Sequence, residues 1–101
     1  MTRREPIHPG EFLADELEEI GITATELSRR IDVPPNRIST IIHGKRDVSA
    51  DTALRLGKFF GTGPELWLNL QKAYDLDKAK AKIGSKIRKI HTWQTEIHAT
   101  G

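Results

Sequence analysis

Glycine and proline cut this chain into pieces the length of single short helices. Breaks fall at Pro9-Gly10, Gly21, Pro34-Pro35, Gly44 and Gly61-Thr62-Gly63-Pro64. Between them, apolar residues recur every three or four positions, the period of an amphipathic helix. Phe12, Leu13, Leu17 and Ile20 stripe a first helix that Gly21 ends. Thr23 or Thr25 can cap a second, which turns Leu27 and Ile31 inward. At Asp32 the chain must turn, and aspartate tolerates the left-handed conformation there. Val33 and Pro34 each precede a proline and are pushed toward extended geometry, so Pro35 fits the first position of a third helix. That helix runs to about His43 and stops at Gly44. Ser49 caps a fourth, with Ala53, Leu56 and Phe60 on one face and Leu54 and Phe59 widening it. Pro64 starts a fifth that carries Leu66, Trp67, Leu70, Ala73 and Tyr74.

Beyond Asp77 the sequence changes character. Ile83, Ile87, Ile90, Trp93 and Ile97 keep a helical spacing among many lysines, while Gly84 interrupts it, so a basic amphipathic helix and a partly ordered tail are both compatible. The expected organisation is one domain over residues 1–77 and a basic C-terminal extension over 78–101.

A chain of 101 residues can close a small helical core without a staple. It has no cysteine, which excludes disulfides, thiolate metal sites and a cysteine nucleophile and fits a reducing compartment. No apolar run is long enough to span a bilayer, and the N-terminal arginines have no apolar stretch behind them as a secretory signal would. A cytoplasmic protein with no membrane partner is expected. The net charge of +2 hides an uneven distribution: residues 1–21 sum to −4, 22–46 to +3, 47–77 to −2 and 78–101 to +5. A basic block between acidic neighbours suggests a localised anion-binding surface.

That block contains NRISTIIHGKR, residues 36–46. With Ile38 at zero and about 100° per residue, Ile41 and Ile42 fall within about 60° of it, a buried face. Asn36, Thr40 and His43 lie opposite, flanked by Ser39 and Arg37. A merely solvated helix usually carries Glu–Lys pairs on that side, yet no acidic residue occurs from Pro34 to Arg46. The chemistry suits the DNA major groove: Asn36 can pair with the adenine edge, Arg37 with guanine, and Ser39 or Thr40 with a base edge or thymine methyl. Lys45 and Arg46 can reach phosphates. On the second helix, Thr23 and Thr25 offer hydroxyls and free amides to a phosphate, with Arg29 or Arg30 adding charge. An ordinary polar face on a small helical protein fits the same residues.

The run ITATELSRRIDVPPNRISTIIHGKR resembles the helix-turn-helix, about residues 23–43, of phage-repressor (Cro/C1 or XRE) proteins. More narrowly, His8 to Leu76 looks like the HigA-type antitoxins of toxin–antitoxin modules, through HPGEFL, VPPNRIS, GKR, DTALRLGKFFG and ELWLNLQKAYDL. Asp32, Ser28 and Pro34 depart from the wider pattern, where glycine, alanine and a capping Ser or Thr are usual. The proline removes a hydroxyl that could meet a phosphate.

The resemblance implies an all-α, five-helix phage-repressor-like domain with a helical or partly ordered tail. It implies a homodimer on double-stranded operator DNA that represses its own operon and restrains a RelE-like (HigB-type) ribonuclease toxin. By position, Asn36, Arg37, Ser39 and Thr40 would face bases, while Thr23, Thr25, Arg29, Lys45 and Arg46 would face phosphates. The two third helices would sit about 34–36 Å apart. For the toxin, the acidic first helix (Glu11, Asp15, Glu18, Glu19) is one candidate surface, although a solvated face that helps solubility is the simpler account of it. Ile87, Ile90 and Trp93 could serve dimerisation, toxin binding or packing against the fifth helix.

Other classes find less support. His8, His43, His91 and His98 have no metal-ligand spacing and no adjacent nucleophile, and His8 and His43 sit where helix caps or phosphate neighbours are common. Gly61-x-Gly63 lacks the third glycine and the strand of a phosphate loop. Neither an enzyme nor a cofactor is expected, and RNA binding would need exposed aromatics. A stand-alone XRE-family repressor without a toxin is the alternative, and a neighbouring reading frame for a small basic protein would favour the antitoxin.

Overall fold

The computed structural model describes residues 5–93. Among them are five helices and no strand: α1 Pro9–Ile20, α2 Ala24–Arg30, α3 Arg37–Ile42, α4 Ala50–Phe60 and α5 Pro64–Ile87. No helix is long and apolar enough to cross a membrane. Leu13, Leu17, Leu27, Ile38, Ile41, Leu56 and Trp67 form the core where all five elements meet. Phe12 and Phe60 pack on Trp67 with ring centroids 5.4 and 5.5 Å away. The Trp67 indole N–H donates to Thr62 Oγ1 at 3.1 Å, so the buried ring leaves no orphaned donor.

Two glycines set how closely helices approach. A side chain on Gly10 would run into the Ile41 carbonyl, which seats the start of α1 against the end of α3. A side chain on Gly57 would meet the backbone of Gly63, where the Gly63 N–H donates to the Gly57 carbonyl at 3.2 Å. The start of α1 is held from the side by His8. Its Nδ1 accepts from the Gly10 N–H at 2.9 Å, and its ring meets Tyr74 of α5 edge-on at 4.8 Å. Gln71, buried on α5, accepts from the Val48 N–H at 2.7 Å and donates to Asp75 at 3.0 Å. It thereby pins the segment that leads out of α3.

Several local expectations shift. Thr23, not Thr25, caps α2. Pro35 lies in a turn rather than at a first helical position, because the Arg37 N–H bonds the Pro34 carbonyl at 2.9 Å and regular helix begins only at Arg37. Ile20 and Leu54, expected inside, are 46% and 61% exposed: Ile20 is the last residue of α1, beyond buried Leu17, and Leu54 lies about 100° round α4 from buried Ala53. The fifth helix does not stop at Asp77. With no proline or cap to break it, it continues through Gly84 to Ile87, so Ile87 belongs to α5 instead of packing on it. Trp93 is exposed, and Ile97 and His98 lie outside the described residues.

Candidate nucleic-acid interface

α2, the turn after it and α3 form a helix-turn-helix in which each helix ends in the same device. After α2, Asp32 adopts φ 61°, the one positive φ outside glycine among the described residues. The Val33 N–H reaches the Ser28 carbonyl at 3.0 Å and the Asp32 N–H reaches Arg29 at 3.3 Å, the paired bonds of a Schellman motif. After α3, Gly44 at φ 74° repeats it, with Lys45 N–H to Thr40 O and Gly44 N–H to Ile41 O, both at 2.9 Å. Fully buried Ser28 links the two helices, its Oγ lying 3.4 Å from the Ile38 N–H at the start of α3. Across the domain, Arg55 of α4 is held by Asp51 at 2.7 Å and donates to the Ile31 and Asp32 carbonyls at 2.8 and 3.1 Å. The carbonyls left over at the end of α2 are thus taken up by a fixed cation.

The candidate base-reading residues gather on one side of α3. Asn36 is exposed at its first end and makes no side-chain cap bond. Ser39 Oγ donates to the Asn36 carbonyl at 3.1 Å, and Thr40 Oγ1 approaches the Asn36 and Arg37 carbonyls at 3.0 and 2.9 Å. Both hydroxyl protons are therefore committed to the helix backbone, and what they offer outward is lone pairs. In that state they suit an amino donor, cytosine N4 or adenine N6. Arg37 is half-buried and turned toward α4, with Nη1 3.4 Å from Thr52 Oγ1. Thr52 is itself buried and backed by Ser49 Oγ at 3.3 Å. Lys45 and Arg46 are exposed directly after the Gly44 turn.

The candidate phosphate-binding residues of α2 are less free than the sequence suggests. Thr23 Oγ1 accepts from the Glu26 N–H at 3.0 Å as the helix cap, which leaves its own proton available. Thr25 is exposed beside it. Glu26 does not reach back to close a capping box. It binds Arg29 and, at 2.7 Å, Arg30. Hydrogen bonds from Arg29 first, and then Arg30, hold the Glu26 carboxyl at about 2, far below its ordinary 4.5, and the same pairing raises Arg29. One carboxylate therefore shares two cations, and Arg29 meets an incoming anion already paired.

Sequence reasoning missed Arg55, Thr52 and Glu26 as parts of this surface. The Asp51–Arg55 spacing announced an ion pair along α4, but nothing local announced that the guanidinium also reaches residues 23 and 24 positions away. Among the described residues no three His, Asp or Glu side chains gather into a possible metal site.

The helix-turn-helix family model HTH_3 matches residues 13–67. A HigA-family addiction module antidote protein from Coxiella burnetii is 52% identical and superposes with a TM-score of 0.83, covering 88% of this chain and 98% of that one. The Pseudomonas aeruginosa antitoxin HigA, solved with the higBA promoter, is 41% identical with a TM-score of 0.82, covering 88% of this chain and 99% of its own. The antitoxin HigA-1 of Vibrio cholerae is 41% identical over 76 residues, 74% of this chain and 71% of that protein. The chain belongs to the helix-turn-helix family, and within it to the HigA-type antitoxins.

Proposed function

We propose that this protein is a sequence-specific DNA-binding antitoxin that represses its own operon and restrains a RelE-like ribonuclease. The reading is supported most directly by α3. It is a helix closed at its far end by the Gly44 turn, with Asn36, Ser39, Thr40 and half-buried Arg37 on its open side and no carboxylate between Pro34 and Arg46. Asn36, Arg37, Ser39 and Thr40 read base edges in the major groove. Thr23, Thr25, Arg29, Lys45 and Arg46 meet phosphates and set register. Arg29 does so by exchanging Glu26 for a phosphate oxygen. A homodimer presents two α3 helices to successive half-sites. Residues 1–77 act as the DNA-binding unit and 78–101 as a basic extension. The protein works in the cytoplasm, without catalysis of its own.

Fluorescence anisotropy titration onto the DNA upstream of the gene, at several salt concentrations and against scrambled DNA, tests the reading. Tight, competitor-resistant binding with a linear log–log salt dependence is expected. Equal affinity for scrambled DNA, with and without the toxin, would overturn it.

A further inference from the structure

α5 carries a second basic surface, separate from the one on α2 and α3. Lys78, Lys82 and Lys86 fall within about 80° of one another around the helix. Lys89 follows in the closing turn, its N–H 3.2 Å from the Lys86 carbonyl. All four are exposed, and no carboxylate occurs between Lys78 and Trp93. Helix building does not account for the row. Like charges four residues apart repel and weaken a helix. Lys78 and Lys82 also lie before the last turn of α5, which ends at Ile87, so they gain little from the helix dipole. Solvation would be served as well by mixed charge. Lys78 anchors the root of the row, its ammonium 5.1 Å from the centre of the Tyr74 ring. The other two cations of the extension, Lys80 and Arg88, lie about 120–160° from the middle of the row, where they share an open hollow with Asp77.

The row prolongs a side of α5 that already meets the candidate nucleic-acid interface. Gln71 lies two turns before Lys78 and about 20° from it around the helix, and it accepts from the Val48 N–H at 2.7 Å. That side of α5 therefore abuts the segment that leads out of α3 through Lys45 and Arg46. His8, edge-on to Tyr74, reaches the same segment, with Nε2 3.5 Å from Asp47. Asp47 and Asp75 mark the inner boundary of the row, and Asp75 is engaged by Gln71 at 3.0 Å. We propose that Lys78, Lys82, Lys86 and Lys89 form a phosphate rail, which holds the backbone of double-stranded DNA beyond the base pairs that α3 reads. Charge and continuity single out this occupant. A row of one sign takes a partner that is anionic along its whole length, and the row adjoins the loop whose cations already point to phosphates. Length agrees as well. From Lys78 to Lys89 the row spans about 16 Å, the rise of about five base pairs, so each lysine can meet a phosphate of its own. Such contacts carry no sequence information, so the rail adds affinity and salt dependence on every sequence alike.

The rail rests on the proposed operator reading for the side from which DNA approaches, and its test keeps the two separable. Anisotropy titrations of the full chain, on operator and random duplexes of equal length at several salt concentrations, compare Lys82→Gln/Lys86→Gln with Lys80→Gln/Arg88→Gln. Each pair removes two charges from the same helix. The row pair should lower the log–log salt slope by about 2 for each bound protomer, on both duplexes alike and with operator preference retained. The opposite pair should shift it by less than about half as much. Acetylation of the parent chain, read by mass spectrometry, needs no variant: saturating duplex should protect Lys82 and Lys86 while Lys80 stays reactive. Equal slope changes for the two pairs, or a row that stays reactive under saturating duplex, overturns the rail and hands the row to an acidic protein. Operator preference with an unchanged slope in the row pair likewise overturns the rail and leaves the operator reading standing. A lowered slope in a chain that binds operator and random DNA equally sinks the operator reading and leaves the rail.

Discussion

Arg55 donates to the carbonyl of Asp32 at 3.1 Å, so the left-handed turn that aims α3 is held by a cation 23 residues further along the chain. The same guanidinium takes the Ile31 carbonyl at 2.8 Å. A turn of this kind, closed only by its own backbone bonds, would let α3 swing relative to α2. With Arg55 in place the angle between the helices is set by α4.

Arg55→Ala is expected to destabilise the fold by about 1–3 kcal/mol, as expected for charge-assisted bonds to carbonyls, and Arg55→Lys to recover little, since one ammonium cannot serve Asp51 and two carbonyls at once. Chemical denaturation of the three proteins checks this. Equal midpoints for all three would remove the clamp from the account.

At Asp32 the backbone conformation, more than the side chain, is what counts. Asp32→Gly should hold or slightly raise stability, while Asp32→Val should lose about 1–2 kcal/mol to the left-handed penalty. Thermal melts decide, and a Val variant as stable as the parent would contradict the positive φ.

Gly10→Ala should be among the most damaging small substitutions, because the new methyl group meets the Ile41 backbone carbonyl. A loss of about 1–3 kcal/mol or more is expected. The loss should appear as weakened operator binding before unfolding, since α3 moves first. Stability and anisotropy measured on the same samples test the order.

Glu26→Gln should free Arg29 and Arg30 together and strengthen binding to operator and random DNA alike, with a steeper salt slope, because the added attraction is to phosphate. Unchanged slopes would take Arg29 out of the phosphate set. The variant also has a signed pH consequence. The Glu26 carboxyl is held near 2 in the fold against 4.5 ordinarily. Its pairing therefore stabilises the native state fully above about pH 4.5 and is lost as pH falls toward 2. The stability difference between parent and Glu26→Gln should shrink across that window and stay constant above it.

Arg37→Ala should lose about 1–3 kcal/mol on operator and relax specificity, whereas Lys45→Ala should weaken all sequences equally and lower the salt slope by about one. Thr52→Val gives a finer check. If Thr52 presents Arg37, its loss should cut operator preference while leaving the affinity for random DNA unchanged.

Much of this molecule is readable from local chemistry. The five helices, their caps at Thr23 and Ser49, the stop at Gly44 and the left-handed turn at Asp32 all follow from residues within one helical turn of the feature they cause. So does the isoleucine face of α3, with Ile38 and Ile41 wholly buried. Such signals act through the chain itself, over a few bonds, and need no knowledge of what packs where.

Other features depend on packing. Arg55 on the turn and Thr52 behind Arg37 join residues 15 to 24 positions apart, and Gln71 reaches back 23 to Val48. Ile20 and Leu54 carry the right periodicity yet face water. For the segment beyond Asp77 the sequence left a helix and a partly ordered tail both open, and the structure continues α5 to Ile87, because a change in composition there is not a change in helix propensity strong enough to end a helix. Sequence by itself determined which segments are helical, where each turns and which side of α3 is polar. The crossing angles of the helices decided the rest: which cation meets which carbonyl, and which apolar stripe faces away from the core. Those angles are set by contacts across the core, such as Gly10 against the backbone of Ile41, and no stretch of chain contains both partners.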